Sequence, residues 1–168
     1  MKSKLDVATN VAIIGVCVIA AFVLIRNNFF PPTPPPPPGS VQVGDKIDAL
    51  AKLVPAGAEK AMVVAIQPTC HFCNESMPFY KQLVDKRNQS GSPVKLIAAV
   101  PSPQAKDEEA QHLATAGATM DGIQPVDYRA IKVSGTPTVI LVDRQGKVLS
   151  VWVGKLEGKG EQEVLKTL

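Results

Sequence analysis

Cys70-His71-Phe72-Cys73 stands between two segments of different character. Before it, residues 62–66 (Met-Val-Val-Ala-Ile) form an unbroken apolar run bounded by Lys60 and Pro68, which suits a buried strand. After it, residues 74–87 carry Met77, Tyr80, Leu83 and Val84 at helical spacing, with Pro78 expected to kink the helix. Both sulfurs are therefore expected at a helix N-terminus, where unpaired N–H groups and the helix dipole favour negative charge. A thiolate is the reactive form of cysteine, and such a position lowers its pKa. The two-residue spacing lets the second thiol attack a mixed disulfide formed at the first.

Working outward, residues 94–100 read as a second buried strand after the turn Ser90-Gly91-Ser92-Pro93. Ser102-Pro103 reads as N-cap and first residue of a helix reaching about Ala116. Asp127 heads a short helical turn to Ile131, and residues 138–142 form a third strand. Asp143-Arg144-Gln145-Gly146 is a hairpin loop leading to a fourth strand at 148–153, and 161–168 closes as a helix. Upstream, Gly44-Asp45 is a turn and Ile47, Leu50, Leu53 and Val54 mark a short packing element. The expected class is α/β, a central mixed sheet flanked by helices.

Residues 11–25 are apolar throughout, and 5–25 match the ~20 residues needed to cross a bilayer. Residues 1–30 are read as an N-terminal transmembrane anchor, with a cleaved secretory signal as the alternative. Lys2 and Lys4 against Arg26 favour a cytoplasmic N-terminus, hence a single-pass protein whose domain faces the periplasm or extracytoplasmic side. Residues 31–38 hold one non-proline, Thr33, so 31–40 form a semi-rigid polyproline linker and 41–168 the folded domain.

The 168 residues are 45% hydrophobic and 20% charged, ordinary for a folded chain. The net charge of +3 lies largely in the N-terminal segment, which leaves no electrostatic footprint for nucleic acid. Only Cys17 accompanies the pair, and three cysteines make no disulfide framework. A structural zinc site needs four ligands, and Cys70 and Cys73 with His71 or His112 supply no second knuckle. No metal or cofactor is expected. His112 lies in a polar helix and reads as solvated, and Trp152 reads as core.

Gly135-Thr136-Pro137-Thr138, just before the third strand, is the second signal. Proline sits at strand starts or edges, and a Thr-Pro bond can be cis. Together with Val43-Gly44-Asp45-Lys46, Pro78 and the stretch 142–148 (Val-Asp-Arg-Gln-Gly-Lys-Val), the chain resembles the thioredoxin-like superfamily, within it the membrane-anchored TlpA/ResA-type thiol–disulfide oxidoreductases. The resemblance implies a thioredoxin fold over about 41–168, with Cys70 attacking and Cys73 resolving. It also implies that Thr136 and cis-Pro137 lie beside Cys70 and offer backbone to an extended client. Departures are Thr69, Ser76 and Val64, where relatives carry an aromatic residue and two acids; Glu75 sits one residue before the usual acid. His71 and Glu75 are the candidate redox-tuning residues, and Phe72 a candidate client contact. The implied partners are protein disulfide or dithiol clients and a membrane or periplasmic electron donor. A non-turnover assembly or copper-delivery factor on the same fold is the alternative.

Overall fold

Alternation of buried strands with amphipathic helices is realised in a computed structural model that describes residues 4–29 and 39–168, with side chains over 11–25 and 39–168. The proline run at 31–38 lies outside the described residues. The chain divides into two compact units, Met1–Pro36 and Pro37–Leu168. The first contains helix α1 (Lys4–Phe29). Among the described residues no helix is long and apolar enough to cross a membrane.

The second unit runs α2 (Asp48–Ala51), β1 (Lys60–Ala65), α3 (His71–Glu75), α4 (Met77–Ser90), β2 (Lys95–Val100), α5 (Pro103–Thr115), β3 (Gly122–Pro125), β4 (Thr138–Asp143), β5 (Val148–Val153) and α6 (Lys159–Leu165). The sheet order is β3-β2-β1-β4-β5. β1, β2 and β3 are parallel neighbours, and β4 runs antiparallel to both β1 and β5. Central β1 is covered on both faces, which explains its continuous apolar run. Met62 and Val64 pack on one side with Tyr80, Leu83, Leu113 and Val164, and Ala61, Val63 and Ala65 on the other with Leu50, Ile131 and Val148. The thioredoxin fold expected from the resemblance is present.

Two local expectations are corrected. The sheet has five strands, not four, because Gly122–Pro125 adds a parallel edge beside β2. This strand is short, half-buried to exposed and ends in a proline, so it has no apolar run to announce it. The expected single kinked helix at 74–87 is two helices, and the first begins earlier, at His71. Ser76 (φ −87°, ψ −1°) closes α3 and opens α4. Pro78, lacking an N–H for a continuing ladder, sits in the first turn of α4, where no donor is required. At α5 the expected cap is present: the Ser102 hydroxyl accepts from the Ala105 N–H at 3.3 Å.

Candidate active site

The end of β1 delivers the chain to the two sulfurs. Ile66 still bonds to β2 through the Ala99 carbonyl at 3.0 Å, and the turn 67–70 closes with the Cys70 N–H on the Gln67 carbonyl. Cys70 then leaves the helical region (φ −83°, ψ 110°) and caps α3 with its own sulfur, which accepts from the Cys73 N–H at 3.1 Å. Since α3 lasts one turn before Ser76 interrupts it, this direct donor replaces a long helix's dipole as the local stabiliser of charge on Cys70. Cys70 and Cys73 are joined in a disulfide, with Cα atoms 5.2 Å apart. Cys70 is 9% exposed and Cys73 is fully buried, so Cys70 is the less buried of the two.

Across the site, the Thr136 carbonyl oxygen lies 3.4 Å from the Cys70 sulfur. The Thr136-Pro137 peptide is cis. The loop is tied on both sides: the Thr138 hydroxyl donates to the Gly135 carbonyl at 2.7 Å, and the Gly154 N–H to the Pro137 carbonyl at 2.7 Å. Thus residues 66 positions apart in sequence meet at one sulfur. Phe72 projects outward at 55% exposure, its ring tilted against that of His71. The His71 Nε2 lies 3.1 Å from a Glu75 carboxylate oxygen, and Lys155 donates to the other at 3.0 Å. Lys155 holds the Glu75 carboxyl below its usual range against a partial desolvation cost, and His71 adds to this. Glu75 is therefore engaged on the rim with two basic side chains.

The sheet order, the capping disulfide and the strand-start proline beside it define a class: thiol–disulfide oxidoreductases of thioredoxin fold. The chain belongs to the thioredoxin-like domain family, whose family model matches residues 47–168. No curated protein sequence matches significantly. Among solved structures, a candidate thiol:disulfide interchange protein DsbE from Chlorobium tepidum is 22% identical, with TM-score 0.55 over 76% of this chain and 98% of that one. StoA from Bacillus subtilis is 14% identical, with TM-score 0.53 over 67% and 84%. A secreted Mycobacterium tuberculosis disulfide oxidoreductase homologous to E. coli DsbE is 12% identical, with TM-score 0.53 over 70% and 86%. These likenesses speak for the fold.

One residue of the neighbourhood escaped the sequence reading. Glu109 on α5 is fully buried and neither carboxylate oxygen has a hydrogen-bond partner among the described residues. His112, one turn on, is corrected from solvated to half-buried, with a buried, unpartnered Nδ1. The signal was available: Glu109, His112, Leu113 and Ala116 follow the i, i+3, i+4, i+7 pattern of a covered face. Burial pushes the Glu109 carboxyl upward, nearby Glu108 adds to this, and His112 opposes it.

A stability prediction follows from that direction. The fold favours protonated Glu109, so this contribution is complete below the usual carboxyl pKa of 4.5 and is lost as pH rises through the elevated native value. Glu109→Met removes the loss. Urea unfolding should show the variant about 1–3 kcal/mol more stable than the parent at pH 8, with the gap shrinking toward pH 4. A variant less stable at pH 8 would contradict the assignment.

Proposed function

We propose that this protein is a membrane-tethered thiol–disulfide exchanger that acts on protein clients on the extracytoplasmic side, in the reducing direction. The Cys70 thiolate attacks a client disulfide, forming a mixed disulfide and expelling one client thiolate. The Cys73 thiolate then attacks Cys70, giving the intramolecular disulfide and the second client thiolate. The client gains two electrons and the pair loses two, which a membrane or periplasmic donor restores. The observation that carries this reading is the asymmetry of the pair: the less buried Cys70, its sulfur held by the Cys73 N–H and faced by the Thr136 carbonyl, against a fully buried partner.

Thr136 and Pro137 serve as the backbone platform for an extended client, and exposed Phe72 as an apolar contact for it. His71 and Glu75 tune the charge near Cys70: a protonated imidazole stabilises the thiolate and makes the disulfide more oxidising. The anchor at 1–30 and the linker 31–40 keep the domain at the outer face of the membrane. The secreted relative from Mycobacterium tuberculosis supports this sidedness.

The test is equilibration against glutathione together with an insulin-reduction assay. A potential near about −270 mV with cysteine-dependent turnover is the expected result, and one near about −120 mV would reverse the direction. Absence of turnover would favour a binding or copper-delivery role on the same fold.

A further inference from the structure

α3 lasts a single turn, so its dipole is weak and the charged side chains around it carry correspondingly more weight at Cys70. Glu75 is shared between two basic groups: one carboxylate oxygen lies 3.1 Å from the His71 Nε2 and the other 3.0 Å from the Lys155 Nζ. His71 and Glu75 belong to α3 itself, whereas Lys155 comes from the segment between β5 and α6. It follows Gly154, whose N–H holds the Pro137 carbonyl at 2.7 Å, and the Thr136 carbonyl of that same loop faces the Cys70 sulfur at 3.4 Å. Lys155 is therefore built onto the loop that faces the reactive sulfur, and it reaches back to the helix which that sulfur caps. Among the described residues, the further charge in contact with this set is Glu157, 3.4 Å from Lys155, and its side chain is 79% exposed, so solvent screens most of its field. At a rise of about 1.5 Å per residue, Glu75 stands about 7 Å along the helix axis from Cys70. That is close to the Debye length of about 8 Å at physiological salt, so the sulfur still feels a unit of charge at this rim.

We infer that Lys155 is a positioning residue for the exchange reaction, supplying the fixed positive charge that offsets the Glu75 carboxylate beside the Cys70 thiolate. The inference rests on the proposed redox activity of the pair and deepens it. Reduction by a dithiol reagent breaks the S–S bond with two electrons. It leaves the Cys70 thiolate and the Cys73 thiol, the reagent becomes a disulfide, and its second proton passes to solvent. The anion is thus present in the dithiol form, and each positive charge at the rim favours that form. His71 supplies such a charge only while protonated, and imidazole side chains ordinarily lose their proton near about pH 6.5. Lys155 keeps its charge through that range, because its bond to Glu75 holds the ammonium pKa above the usual value. Without Lys155, Glu75 would stand uncompensated beside the thiolate once His71 is neutral.

The experiment is a charge cycle on the full chain at about pH 8.5, above the ordinary histidine range. Lys155→Met, Glu75→Gln, the double variant and Lys155→Arg are each equilibrated with a reference dithiol. In parallel, the Cys70 thiolate of the dithiol form is followed by its ultraviolet absorbance as the pH is lowered. Lys155→Met makes the rim one unit more negative. It should shift the equilibrium about two- to fivefold toward the disulfide, the effect of one screened unit charge at that distance, and move the thiolate titration upward. Glu75→Gln makes the rim one unit more positive and should shift both readouts the other way. The double variant should return close to the parent, and Lys155→Arg should match it. A bridge that only clasped α3 to the Pro137 loop would behave differently: both single variants break the same contact, so both would move the equilibrium in the same direction. Shifts of equal sign, or a Lys155→Met variant indistinguishable from the parent, would overturn the inference while leaving the exchange reading intact. A parent pair that does not cycle at all would overturn both.

Discussion

Cys73→Ser should turn the protein into a trap. With the resolving sulfur gone, a client joined to Cys70 stays joined, and mixed disulfides accumulate as reductant-sensitive adducts on a non-reducing gel. Turnover in the insulin assay should fall by roughly a thousandfold or more, a modest share of ordinary enzymatic acceleration. Cys70→Ser should lose as much activity but capture nothing. The reason is geometric. Cys70 is the less buried of the pair, and its sulfur receives the Cys73 N–H at 3.1 Å, a bond that strengthens when the sulfur is anionic. Cys73 is fully buried on the inner side of α3, so with Cys70 gone no nucleophile reaches a client. In the first variant the backbone N–H at position 73 remains available as a donor, because only the side chain is exchanged. Equal capture by both variants would show the two sulfurs to be interchangeable and would remove the mechanism.

The parts of this molecule that follow from continuous local patterns were legible in the sequence. The run at 62–66 is apolar throughout, and that at 138–142 apolar after Thr138, because β1 and β4 are covered on both faces, so a short stretch suffices to reveal them. Ser102-Pro103 announces α5 by itself, since hydroxyl cap and N1 proline are local chemistry. The parts decided by distant neighbours were not. β3 is a strand because β2 offers it an edge, and its own four residues carry no signature. Glu109 looks like one more charge in a polar helix, and its burial depends on where α4 and the Tyr128 segment fall. Tyr128 makes the same point. Its hydroxyl ties the carbonyls of Ile66 and Ala99 at the ends of two parallel strands, a meeting set by topology alone. At the site itself, the cysteine pair is local and plain, whereas the rim arrangement of Glu75 needed Lys155 from beyond β5.

Gly146 is a third kind of case, and it gives the second large effect. The hairpin Asp143-Arg144-Gln145-Gly146 calls for glycine on conformational grounds, and Gly146 does adopt φ +79°. That alone costs another residue roughly 1–2 kcal/mol. The structure adds a steric reason that the hairpin does not contain. The Gly146 carbonyl accepts from the Ile47 N–H at 2.9 Å, and Lys46 bridges to Lys147, so the segment leading into α2 lies directly on the turn. A β-carbon at Gly146 would run into the backbone carbonyl of Ile47 and stand 3.1 Å from both the nitrogen and the β-carbon of Ala51. Backbone cannot swing aside as a side chain can, so α2 must lift and expose Leu50, which is fully buried. Gly146→Ala should therefore destabilise by about 2–4 kcal/mol, the conformational cost plus partial loss of one buried leucine's packing. Gly44→Ala is the matched control. It has φ +92° and open space where its β-carbon would go, so it should cost only the conformational part. Urea midpoints of the two variants separate the contributions. Equal losses would mean that α2 yields freely, and that the N-terminal element contributes little to holding the β4–β5 hairpin, and with it the Pro137 loop, against Cys70.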